Sequence, residues 1–355
     1  MKNRKLIIAG MLAVVLVGEM VLLRHTEPSY EGRGINEWID HYAYFIQPGW
    51  SPNQPPLREK EREPAVALAL AAIKSIGAQG VPYILERVRI GDSTWHKRYD
   101  DWWSASPYWL RSRMPKPKMP IQPNMAGGLL FEIGPPGIPY ARDALKSSNP
   151  IIRQTGLTAL EIFAQNSNDL RMATQGLIQE LADSVPEFRQ HAAYILGEIG
   201  PAASNAVPAL IINLDDKDMG EHGGPSIPVR AWTAEALGKI GPAASNAVPK
   251  LQSMLQHPES QLLPDTYALT SAALALWRIS SDEEALLQVA NRTFALPDQE
   301  IKMEWVDELG KLGPRAKRTV PFLLKELDRA SDSDRKSITN AIFKIDPEAA
   351  AKAVK

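Results

Sequence analysis

The chain has 355 residues, with 40 basic against 41 acidic side chains and no cysteine. That balance excludes a nucleic-acid binder working through bulk positive charge and leaves no global field to steer a partner. The missing thiol excludes disulfides, thiolate metal sites, a cysteine nucleophile and a lipidated cysteine, while leaving the redox compartment open.

Lys2, Arg4 and Lys5 form a basic start, residues 1–5, ahead of an 18-residue apolar run, 6–23, that is broken by Glu19. As a helix the run spans about 27 Å, enough to cross the hydrocarbon layer of a bilayer. Basic residues before the span predict that they stay cytoplasmic and that the rest is exported. The expected product is a single-pass protein of the bacterial inner membrane with its bulk on the periplasmic side. A cleaved signal peptide is the rival reading and would make the protein secreted. No small-x-small cleavage site precedes Arg24, which favours the uncleaved anchor.

Residues 24–63 read as a linker and a capping helix. In YEGRGINEWIDHY, the side chains of Ile35, Trp38, Ile39 and Tyr42 fall on one helical face, suited to shielding the open apolar end of the first repeat. Gly49 to Pro56 is a proline-rich loop.

From Pro64 onward, short helical hairpins recur. LGEIGPAASNAVP, Leu196 to Pro208, returns 41 residues later as LGKIGPAASNAVP, Leu237 to Pro249, and a worn copy, LGKLGPRAKRTVP, runs from Leu309 to Pro321. Ahead of each glycine-proline pair, apolar residues repeat at helical spacing. Gly200 and Gly241 stand where a helix stop needs a left-handed residue, and Pro201 and Pro242 cannot continue the helix. A second apolar series, from Ala206 and Ala247, gives the returning helix, which should start near Pro208 and Pro249. One hairpin cannot bury both its faces, so neighbours must stack. The expected fold is an all-α solenoid of about eight hairpins with a period of about 40 residues, following one transmembrane helix.

The unit from Pro186 and Arg189 through HAAYILGEIGPAASNAVPALIINLDD, with its twin from Pro228 and Arg230, resembles the bacterial HEAT repeats also found in phycobilisome-lyase-like proteins. The leader from Tyr30 resembles one that often precedes such repeats in exported proteins. The resemblance implies a right-handed α-solenoid used as a scaffold. It covers about two thirds of the chain, within a solenoid expected over residues 64–355, and departs over the 33-residue step from Leu276 to Leu309 and increasingly toward the N-terminus.

Arg153, Arg189 and Arg230 each precede their helix's leucine by seven residues, and Asp183, Asp215 and Asp216 close the units before Arg189 and Arg230. A structural ladder of aspartate–arginine contacts is the expectation, with a ligand-binding arginine row as the minority reading. Asp218, Glu221 and His222 offer oxygen and imidazole donors, but their spacing fits no established metal loop, so no metal is assigned. No catalytic or phosphate-binding pattern occurs, no cofactor is expected, and an enzyme is the less favoured class.

The segment that rises above its surroundings is the insertion 91–123. It holds four of the nine tryptophans, Trp95, Trp102, Trp103 and Trp109, together with Tyr99, Tyr108, Arg98 and Arg111, and six basic against three acidic residues. Loops of this length tend to be functional, and tryptophan opposes disorder. Three readings stand: a lid buried on the first hairpins, a contact surface for a protein or a glycan, or a membrane-surface contact. The favoured function is a membrane-anchored scaffold that binds an envelope protein. The alternatives are an enzyme or accessory related to chromophore lyases, and a structural spacer.

Overall fold

The computed structural model describes residues 27–46, 59–91, 93–166, 170–220, 227–256, 263–295 and 299–353. The apolar run 6–23 and the proline-rich loop 49–56 lie outside these. The chain divides into two compact units between Asn166 and Ser167.

The first unit opens with a ribbon, β1 (Ser29–Tyr30) antiparallel to β2 (Arg33–Gly34), turned by Glu31 and Gly32 with φ of 49° and 77°. Two consecutive positive φ values suit the tight hairpin turns whose twist matches that of the strands. Helix α1 (Ile35–Ile46) comes next and packs on α2 (Glu59–Ile76), burying Ile35, Trp38, Ile39 and Ala43. The capping face is therefore shifted slightly from the predicted one. Ala43, small enough to approach α2, takes the fourth buried place, and the larger Tyr42 is left half-buried.

Helix α3 (Val81–Ile90) returns from α2, and α4 (Thr94–Ala105) and α5 (Tyr108–Arg111) make up the insertion. A second hairpin, α6 (Pro123–Glu132) with α7 (Ile138–Ala144), and then α8 (Pro150–Asn166) complete the unit, with α8 packed on both α6 and α7.

The second unit begins with α9 (Thr174–Glu180). Hairpins are then formed by α10 (Pro186–Ile199) with α11 (Val207–Asn213), and by α12 (Val229–Ile240) with α13 (Val248–Gln256). Next come α14 (Leu263–Ser280) with α15 (Glu283–Thr293), and α16 (Gln299–Leu312) with α17 (Val320–Leu327). Helices α18 (Asp332–Ile345) and α19 (Pro347–Ala353) end it. Between α11 and α12 the chain forms a second ribbon, β3 (Met219–Gly220) with β4 (Ile227–Pro228).

The repeated turn has one geometry. Gly200 and Gly241 adopt φ/ψ of 68°/−140° and 75°/−145°. This is the mirror-extended region rather than the predicted left-handed helical one, and it excludes a Cβ still more strictly. A 3₁₀ turn succeeds each, kinked at Ala203 and Ala244, and the worn copy repeats the kink at Ala316. Pro208 and Pro249 then sit in the first turn of the returning helix, where a missing N–H costs nothing.

The first helices stack: α10 on α12 and α12 on α14. The second residue of each Leu-Gly pair explains the closeness. A Cβ on Gly197 would lie 3.0 Å from the Ala236 Cα, and one on Gly238 2.9 Å from the Ala275 Cα. Glycine against alanine is what lets the backbones meet.

Among the described residues two stretches, Arg62–Ile90 and Pro186–Asn213, are long and apolar enough to cross a membrane. Each is folded back on itself, at Gly77 (φ 66°) or Gly200, so neither forms a straight span.

Candidate functional site

The insertion has a fixed root and a projecting head. Ser93 starts α4 by accepting the His96 N–H at 3.2 Å, satisfying one of the donors a helix N-terminus leaves open. At the other end the chain is tied down repeatedly. Tyr99 Oη donates to the Pro115 carbonyl at 2.7 Å, Lys118 pairs with Glu86 at 2.8 Å, and the Ile121 N–H reaches the Arg87 carbonyl at 3.3 Å. Met119 and Ile121 are buried.

Arg87 is the centre of this root and is wholly buried. Its Nε donates to Asn36 Oδ1 (3.0 Å) and its Nη2 to the Asn36 carbonyl (2.9 Å). Its Nη1 reaches Asp40 Oδ1 and the Met119 carbonyl, each at 2.8 Å. One guanidinium thus joins the capping helix, the first hairpin and the stem of the insertion. A buried cation is tolerable only when paired and hydrogen-bonded, and here one carboxylate and three further acceptors meet it.

The head is different. No residue of α4 or α5 is buried, which overturns the reading of a lid folded onto the hairpins. Trp95, Trp102, Tyr108 and Trp109 are 77%, 47%, 80% and 61% exposed. Each such ring forgoes about 2 kcal/mol of burial free energy. Trp95, Arg98, Tyr99 and Trp102 lie at i, i+3, i+4 and i+7 and so form one stripe of α4, with Asp100 and Asp101 around the other side. Tyr99 stacks on Trp102 with centroids 5.9 Å apart, and Arg111 lies 5.5 Å over the Trp103 ring. Trp103, in the last turn of α4, is half-buried.

In the second unit, Arg189 meets Asp216 at 2.6 Å (Nε) and 3.2 Å (Nη2) and Asp218 at 2.6 Å, all downstream of it. Burial works against its charge, and the two carboxylates more than offset this, leaving its pKa above the usual arginine value. From upstream it takes the Asp183 backbone carbonyl at 2.8 Å, while the Asp183 carboxylate accepts the Val185 N–H. Asp215 pairs with Lys250 at 2.5 Å, and the Arg230 N–H donates to the Asp216 carbonyl at 3.0 Å. Arg153 reaches the Ser147 carbonyl at 3.2 Å and Arg335 the Leu327 carbonyl at 3.0 Å. The recurring device is thus an arginine near a helix start donating to a carbonyl at the end of the preceding helix, where the dipole is negative.

Gln190, next to Arg189, donates to the Ile227 carbonyl and holds the β3–β4 ribbon. Asp218 is engaged by Arg189, and Glu221 and His222 lie outside the described residues. Among the described residues no three His, Asp or Glu side chains stand together as metal ligands.

Sequence reading missed Arg87, although a signal was present. Arg87, Asn213 and Glu326 each stand five residues after the proline that opens a returning helix, at Pro82, Pro208 and Pro321, and Glu180 holds the same place in α9. All four are buried. Asn213 donates to the Leu181 carbonyl at 2.8 Å and Glu326 accepts from Lys302 at 3.1 Å. The place is polar in these four helices, while Ala144 holds it in α7 and Met254 in α13.

Residues 174–269 match the family model described as HEAT repeats. Similar solved structures include the complex of CpcE and CpcF of phycocyanin lyase from Nostoc sp. PCC7120. It is 21% identical, with 61% of this chain and 87% of that one covered, at a TM-score of 0.42. Two engineered proteins are also similar. One is 19% identical, covering 81% of this chain and 75% of its own, at a TM-score of 0.39. The other is 17% identical, covering 76% and 97%, at 0.36. No curated protein matches the chain. The HEAT match takes in the first five helices of the second unit, α9 to α13, whole. The insertion lies wholly outside it.

Proposed function

We propose that this chain is a non-enzymatic scaffold of the bacterial envelope, held in the inner membrane by residues 6–23 with its helical repeats on the periplasmic side. It binds a protein partner through the surface of those repeats, and the insertion 91–123 is its contact element. The observation that carries this is the head of the insertion: four large exposed aromatic rings, on helices with no fully buried residue, above a hydrogen-bonded root. Tryptophan, tyrosine and arginine are the residues that dominate binding energy at protein interfaces, and a rigid root lowers the entropy lost on docking. Near-neutral overall charge with a locally basic insertion favours recognition by contact over long-range steering.

The test is affinity capture from crosslinked membranes with the full chain and with Trp95→Ala/Trp102→Ala/Trp109→Ala. Both should fold alike by circular dichroism, and the triple variant should lose the captured protein. Equal capture by both would move the contact to the hairpins. A glycan partner would show instead as indole fluorescence quenching by envelope polysaccharide, and covalent pigment on co-expression with a phycobiliprotein would replace the scaffold reading with a lyase.

A further inference from the structure

The insertion is tied to the place where the N-terminal segment joins the fold. The Glu27 carboxylate accepts the Asn36 N–H at 2.6 Å and so fixes the start of α1. The Asn36 side chain and carbonyl both accept from Arg87, at 3.0 Å and 2.9 Å, and Arg87 donates to the Met119 carbonyl at 2.8 Å. Three residues in series, each within hydrogen-bond distance of the next, connect Glu27 to the stem of the aromatic head. Only four residue steps separate Leu23, the last of the apolar run, from Glu27. Fully extended they reach about 14 Å. The head itself is one 12-residue helix, about 18 Å long, with a short second helix.

We infer that the insertion is membrane-proximal and that its partner is an integral membrane protein, recognised where it emerges from the bilayer. This rests on the anchor and the contact role proposed above. With residues 6–23 in the bilayer, the short linker and the Arg87 relay hold the head within reach of the headgroup layer, so a partner must present its site there. The chemistry of the head fits such a place. Trp95, Arg98, Tyr99 and Trp102 form a stripe that carries a cation and no carboxylate, matching a juxtamembrane surface whose own border is aromatic. The stripe would lie in a groove of the partner as the apolar face of a short amphipathic helix.

The test places a photo-crosslinking amino acid at Tyr108, the most exposed ring of the head, in the full chain in its native membranes. A parallel chain carries a helical spacer of four EAAAK units between His25 and Thr26, which lifts the fold by about 30 Å without touching it. The expected result is an adduct with a protein that stays in the membrane through alkaline carbonate extraction, falling at least fivefold in the spacer chain. An adduct with an extractable protein, equal in both chains, overturns the membrane-proximal inference and leaves the scaffold function standing. Adducts with lipid alone, or none at all, overturn both.

Discussion

Lys239 Nζ lies 2.6 Å from Glu198 Oε1, and these two residues occupy the single position at which the 13-residue repeat blocks differ. The ammonium also meets Glu235 at 2.7 Å and sits 5.2 Å from the centre of the Tyr194 ring. Two copies identical at this point would set like charges side by side. The one departure from the repeat is thus a register key between successive turns.

Glu198→Lys should therefore destabilise the second unit by about 1 kcal/mol, through repulsion on a partly buried seam. The exchange Glu198→Lys/Lys239→Glu should recover most of that loss. Burial lowers the Lys239 pKa, and Glu235 with Glu198 more than offset it, so the pKa is raised. The contribution should be complete below about pH 10 and fall away as pH climbs through the folded-state value. Denaturant melts of the wild type and the two variants, with the wild type also followed from pH 8 to 11, check both statements.

Arg87→Met should be far more costly, about 3–5 kcal/mol, because Asp40 and Asn36 lose the cation they surround. Hydrogen exchange should quicken together in residues 27–46 and 115–121, since one side chain serves both. Faster exchange in only one of these segments would separate the cap from the insertion root.

Gly238→Ala and Gly241→Ala should both destabilise, by different means. The first drives a Cβ to 2.9 Å from the Ala275 backbone, an overpacking cost of about 1–3 kcal/mol. The second has nothing within 4 Å of its Cβ, yet must hold φ near 75°, a strain of about 1–3 kcal/mol. Ala275→Gly should give some relief to the first and none to the second, as thermal melts of the double variants will show.

Trp95→Ala and Trp109→Ala should leave stability within about 0.5 kcal/mol of the wild type, as for surface positions generally. Trp38→Ala, in the buried face of α1, should cost about 3–5 kcal/mol. Paired calorimetry of the three distinguishes a contact surface from a core. Any exposed-ring variant that unfolds early counts against the insertion as a binding element.

Much of the fold was legible because the repeat writes its own punctuation. Glycine with proline directly after it fixes where each helix ends, and the apolar spacing before and after them gives the paired helices, as at Gly200–Pro208. The face of α1 was legible for the same reason, apart from the exchange of Tyr42 for Ala43. The insertion stood out by composition, but composition is the same for a buried lid and an open surface. Arg87 was passed over because its acceptors lie 51, 47 and 32 residues away, at Asn36, Asp40 and Met119.

The sequence by itself determined the hairpins, their turns and their period, since backbone sterics at glycine and proline act over a few residues and need no distant partner. It also marked residues 6–23 as apolar enough to anchor the chain. Only the tertiary structure decided which carboxylates face Arg189, that Glu198 meets Lys239, and that Trp95, Trp102 and Trp109 are exposed while Arg87 joins three segments. Those outcomes depend on which surfaces are brought together across many residues, and side-chain charge and aromatic content are blind to that until the helices have packed.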